Sequence, residues 1–205
     1  YLPDGTELTG TGWALQNQKD YIDVLKYIIP EAVAQSGVSS KDIIGIGLDF
    51  TSCTMLPVDE NNVPLCLLVK NVSRPHAWVK LWKHHGAQKQ ADEINELLKK
   101  RGEIDNIQFG GKISSELLLP KILQIVEEDP ELYDEAASFL EVGDWLTQIL
   151  TNGRKRSGNL AGYKAMWTPE TGYPSKDFLL QLSPKLENLT EDKLGDDITL
   201  AGQPV

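Results

Sequence analysis

Residues Ile43–Phe50 read IIGIGLDF, a short and almost wholly apolar run with polar residues on either side. Such a run predicts a strand buried on both faces, as in the parallel part of an α/β sheet. Open α/β sheets place ligands just past the C-terminal ends of their strands, which puts Ser52 at a candidate site, the alternative being that Thr51, Ser52 and Thr54 are ordinary strand-end hydroxyls. Downstream, Thr54–Asp59 and Val63–Val69 flank the turn-forming triplet Glu60-Asn61-Asn62 and predict a β-hairpin extending from that strand.

Upstream, Asp20–Ser36 carries Tyr21, Ile22, Leu25, Ile28, Ile29, Ala32 and Val33 at helical spacing. Gly37 is a natural stop, and Pro30 is expected to kink or break the helix. A second helical run opens at Pro75 and continues to Arg101, where Gly102 ends it. Another helix is expected from Ser114 or Ser115 towards Asp129, with Pro120 as a blemish. Asp129-Pro130-Glu131 has the form of an N-cap, a first-turn proline and an acidic first turn. Phe139–Val142 suits a short strand, and Asp144–Asn152 a helix stopped by Gly153. Gly158–Trp167 reads as a small-residue connector, followed by polar, Pro-punctuated helices to about Leu194. One α/β lobe with a large helical insertion is the simplest architecture.

The chain has 205 residues, enough for one substantial core or two small ones, and no stretch approaches a membrane span. Its first residues lack the charged and apolar regions of a signal peptide, so a cytoplasmic location is expected. A net charge of −10 repels phosphate backbones and anionic lipids, which argues against nucleic-acid or membrane partners. Cys53 and Cys66 lie in apolar surroundings, as reduced core residues do. No paired Cys/His spacing suggests a metal site. His76, His84 and His85 lack supporting carboxylate spacing and read as surface or hydrogen-bonded histidines.

Five blocks resemble the FGGY family of carbohydrate kinases, and its ribulokinase branch in particular. They are Gly45–Thr54 (GIGLDFTSCT), Pro75–His85 (PHAWVKLWKHH), Gly110–Glu116 (GGKISSE), Glu141–Trp145 (EVGDW) and Ala161–Trp167 (AGYKAMW), in the family's order. The resemblance implies a ribonuclease-H-like, actin-like lobe that is incomplete, with residues 1–205 forming part of the N-terminal, sugar-binding domain. It implies transfer of the γ-phosphoryl of ATP, with Mg2+, to a ketopentose hydroxyl, giving L-ribulose 5-phosphate. By the same resemblance, three family parts are missing from the chain. They are the first β-hairpin with its phosphate-facing turn, the Gly-rich segment carrying the catalytic Asp, and the ATP-binding second lobe. No catalytic residue is therefore assigned here, ATP and Mg2+ are expected only in the full-length enzyme, and the isolated chain is expected to be inactive. A stand-alone sugar-binding or regulatory module is the alternative.

The resemblance makes Ser52 a backbone contact to the ketose and Lys164 a ribulose-binding lysine, its ammonium set among small and aromatic residues. Trp82 and Lys83 are expected sugar contacts on the long second helix, with Lys83-His84 standing where relatives carry an acidic pair. Ser115 and Glu116 stand where relatives bring side chains towards substrate, while helix capping suits at least one serine there. Asp144 could line the pocket, and Trp145 is more simply a core anchor. Asp49 is read as orienting the turn rather than as a base. Lys121-Ile122-Leu123 is followed by Gln124 where the broader family often shows Trp. With one sheet edge exposed, self-association or a homo-oligomer through that edge is expected.

Overall fold

The computed structural model describes residues 1–8, 10–104 and 110–203. Strands β1 (Leu15–Gln16), β2 (Met55–Val58), β3 (Val79–Lys80) and β4 (Ser138–Glu141) form one sheet in the order β1-β3-β2-β4, antiparallel throughout. Its longest ladder pairs Met55 with Glu141 and Val58 with Ser138. Met55 and Phe139 enter one apolar core while their neighbours Leu56 and Leu140 enter another, because successive side chains on a strand face opposite ways.

The larger core is centred on a buried helix. The second lies between the sheet and two helices, α1 (Gln18–Ser36) and α5 (Val142–Thr151), where Leu56, Val79, Leu140 and Trp145 meet Tyr21, Ile22 and Leu25. Within the larger core, α2 (Gln88–Arg101) and α4 (Pro130–Glu135) pack on α3 (Leu118–Glu128), and α7 (Lys176–Leu182) packs on α2. Every α3 residue from Leu118 to Val126 is buried. A parallel pair, β5 (Arg156–Ser157) and β6 (Ile198–Thr199), flanks α6 (Gly158–Lys164). The result is a mixed α/β lobe with a large helical part. Among the described residues no helix is long and apolar enough to cross a membrane.

Several local signals hold. α1 is closed by Gly37 in the left-handed region, φ 70°, as expected; at its other end it begins two residues before the expected Asp20, capped by Asn17, whose side chain accepts from the Lys19 amide. α4 is capped by Asp129, which accepts from the Leu132 amide at 3.4 Å. Gly102 closes α2, again left-handed. Against the break expected at Pro30, α1 runs through it. Pro120 falls in the first turn of α3, where a backbone N–H has no partner within the helix, so nothing is lost.

Other expectations are corrected. Ile43–Phe50 forms no strand: among the described residues no ladder or backbone hydrogen bond joins it to another segment. Ile43, Ile44 and Ile46 are exposed, and only Leu48 and Phe50 pack against the second core. An extended chain becomes a strand only when a neighbour takes its N–H and C=O groups, and β2 is flanked by β3 and β4 instead. The second hairpin arm is also lost. Val58 bridges Pro64, then the chain winds into 3-10 turns at Leu65–Leu67 and Val69–Asn71, since Pro64 offers no N–H to extend the ladder. Residues 75–101 are not one helix but a 3-10 turn (Pro75–Ala77), β3, a loop and α2. α5 ends at Asn152, left-handed at φ 54°, rather than through Gly153. The connector at 158–167 contains α6. At the C-terminal end, Pro204 and Val205 lie outside the described residues.

Candidate functional site

The turn that follows the exposed run has its backbone held by buried side chains on both sides. Cys53 takes a left-handed conformation, φ 67°, which costs a non-glycine residue about 1–2 kcal/mol. Its amide donates to Glu141 Oε2 at 2.7 Å and its carbonyl accepts from Lys121 Nζ at 2.7 Å. The thiol lies 3.8 Å from Glu141 Oε1 and donates to the Lys164 carbonyl at 3.5 Å. Beside it, the Thr51 and Thr54 hydroxyls are 2.9 Å apart, and Thr54 Oγ1 accepts from the Trp82 amide at 3.2 Å. The turn is thereby tied to both the Trp82 loop and the end of α6.

Around that junction three of the five expected sugar contacts come together. Lys164 Nζ donates to Glu116 Oε2 at 3.0 Å and lies 5.9 Å from the centroids of both the Trp82 and Tyr163 rings. Glu116 takes one of the three ammonium donors, and Trp82, 38% exposed, presents ring surface beside it. His85 completes the rim, with Nδ1 3.2 Å from Ser115 Oγ and Nε2 3.8 Å from Glu116. An aromatic face, an ammonium and a carboxylate form a set that can hold a polyol, stacking on its C–H face and pairing with its hydroxyls.

Ser52 precedes Cys53 in the same turn. It lines a cavity of about 690 Å3 with Asp49, Phe50, Asp144, Asn159 and Tyr163. Ser52 Oγ is buried and has no hydrogen-bond partner in the structure. Lys83 is exposed and stands outside the hydrogen-bonded group. Trp82 and Lys83 lie on a loop, not on the helix expected of them. The capping expectation also changes: α3 has Leu117 at its N-cap, with no side-chain cap, Ser114 Oγ accepts from the Glu116 amide, and Ser115 pairs with His85. Trp145 is a core anchor whose indole donates to the Asn62 carbonyl at 3.0 Å. Asp144 is buried, accepts from the Ser157 amide at 2.8 Å, and is pushed by burial to a pKa of about 6. Asp49 is exposed on the cavity wall.

The histidines are hydrogen-bonded. Lys80, fully buried, approaches His76 Nδ1 at 3.0 Å and lies over the Trp13 ring. His76 Nε2 meets Glu128 at 3.1 Å, and His84 Nε2 meets Gln124 at 3.0 Å. Burial pushes Lys80 down to about 7, His76 to about 2 and His84 to about 3. Both cysteines are free and buried.

Sequence reasoning missed Lys121 and Glu141. Burial pushes Lys121 down to about 8 and Glu141 up to about 7. Lys121 carried a signal: it is a lone cation in the apolar stretch LLPKILQIV, and a buried charge has to be paired. Glu141 carried none, since its partner lies 88 positions away.

The N-terminal domain of the FGGY family of carbohydrate kinases matches residues 5–162. The chain is 51% identical over 202 residues to a ribulokinase of Bacillus licheniformis, covering 98% of this chain and 37% of that protein. It is 48% identical over 203 residues to a ribulokinase of Halalkalibacterium halodurans, covering 99% and 36%. Similar folds occur in a xylulose kinase and a gluconate kinase of Lactobacillus acidophilus, each with a TM-score of 0.64. Identities are 14% and 15%, over 98% and 97% of this chain and 36% and 35% of those chains. The chain thus spans little more than a third of the length of these proteins, and it belongs to the FGGY family of carbohydrate kinases.

Proposed function

We propose that residues 1–205 are part of the sugar-binding domain of an ATP-dependent kinase that phosphorylates L-ribulose to L-ribulose 5-phosphate in L-arabinose catabolism. The observation that carries this reading is the convergence of Lys164, Glu116 and Trp82 beside the Cys53 turn. The likeness to ribulokinases supports the choice of ketopentose. Trp82 would stack on the sugar, Lys164 would donate to its hydroxyls and Glu116 would accept from them. Ser52 would add its backbone, and Lys83 would approach from the exposed side of the loop. ATP and Mg2+ would be held by sequence outside this chain, in a second lobe. None of the residues named here is assigned to them. A cytoplasmic location fits such an enzyme.

Reading the coding DNA past both ends of the chain tests this directly. A longer product that releases ADP with L-ribulose supports the kinase. A frame that stops at Tyr1 and Val205, with saturable L-ribulose binding and no turnover, makes the chain a stand-alone sugar-binding module instead.

For partners, the proposal is pairing between two copies along residues 43–50. That run lies outside the sheet and exposes Ile43, Ile44 and Ile46. Light scattering should show mass rising with concentration, and a concentration-independent monomer would refute the pairing.

A further inference from the structure

We infer that Lys121 and Glu141 are positioning residues that preset the Cys53 turn and lock it to the Trp82 loop, so that both stand ready for sugar. This rests on the sugar-binding reading above.

Lys121 is fully buried in the most deeply buried helix of the lobe. As core filling it is a poor choice, because a methionine of similar length would need no compensation for a desolvated charge. Its three donors go to backbone carbonyls of two separate loops: Cys53 at 2.7 Å, Leu81 at 3.0 Å and Trp82 at 3.5 Å. Three N–H groups of one ammonium thereby cross-link the turn bearing Ser52 to the loop bearing Trp82 and Lys83. Glu141, at the end of β4, takes the Cys53 amide at 2.7 Å from the other side. The residue with the strained φ is thus held at both its N–H and its C=O by buried groups of opposite charge. Strained backbone persists when its surroundings over-determine it, and such strain collects where a ligand must be met by a fixed surface. Neither side chain lies on the exposed face of the cluster. Both act on sugar through the backbone they hold. A turn held in advance spares binding the cost of ordering it.

Amide hydrogen exchange on the 205-residue chain tests the clamp, and calorimetric titration with L-ribulose tests its purpose. In Lys121→Met, exchange at the Cys53 and Trp82 amides should rise tenfold or more while α2 stays protected, and L-ribulose binding should weaken at least tenfold. If Lys121→Met loses protection throughout, the Glu141 pair carries the test. Glu141→Leu should free the Cys53 amide and weaken binding, and Glu141→Gln, which keeps an acceptor oxygen, should largely restore both. Unchanged exchange at Cys53 and Trp82 overturns the inference. Raised exchange with unchanged affinity overturns it too, since the clamp would then serve the fold alone. Wild-type chain that binds no L-ribulose overturns the sugar-binding reading instead, and the exchange result still decides the clamp.

Discussion

Ile43–Phe50 and α3 are both apolar in sequence, yet one lies largely in solvent and the other fills the core. The difference lies in what each needs. A helix satisfies its backbone internally and has only side chains to bury, so α3 forms wherever an apolar surface receives it. A strand must find a neighbour for its N–H and C=O groups before its side chains count. Apolar composition thus fixes a wish for burial, and the rest of the chain decides whether it is met.

Substitutions at the centre of each region should break or sharpen that contrast. The largest effect is expected from Ile122→Ala in α3, which should cost about 2–5 kcal/mol in chemical denaturation. A cost below 1 kcal/mol would mean that α3 is not the organising helix. Next comes the buried polar side of the same core, at Lys80. Its folded value of about 7 lies below its ordinary 10.5. Between those values the unfolded chain holds a proton that the native chain lacks, so the native state gains stability as pH rises through that window. His76, His84, Glu128, Asp129 and Lys121 surround the ammonium. Lys80→Met removes this dependence, so its stability relative to wild type should fall with rising pH by on the order of 1 kcal/mol per unit. Parallel stability curves from pH 7 to 10 would contradict it.

Smaller is Asp129→Ala, which removes the α4 cap and the ion pair with Arg74, and should cost about 1–2 kcal/mol by thermal unfolding. Smallest is Ile44→Lys in the exposed run. It should leave monomer stability within about 0.5 kcal/mol and abolish concentration-dependent mass in light scattering. A large stability loss there would show that the run is packed after all.

What was legible in the sequence follows the same division. Features set within a turn of chain were readable: Gly37 closes α1, and Asp129-Pro130 starts α4. Features that need a distant partner were not. β3 is a strand because Leu15, Gln16 and Met55 lie beside it, which the spacing within 75–101 did not reveal. The site divides alike. Lys164, Glu116 and Trp82 were nominated by family resemblance and do meet. The Lys121 and Glu141 clamp depends on contacts across 68 and 88 positions, and only a buried lone cation hinted at half of it.

The most direct test of the sugar-binding site is a calorimetric titration of L-ribulose into wild-type chain, Lys164→Met and Glu116→Gln, with melting curves to confirm that each is folded. Saturable binding by the wild type, weakened at least tenfold in Lys164→Met and clearly reduced in Glu116→Gln, is the result expected. No saturable binding by the wild type, or affinity unchanged in folded Lys164→Met, would contradict the account.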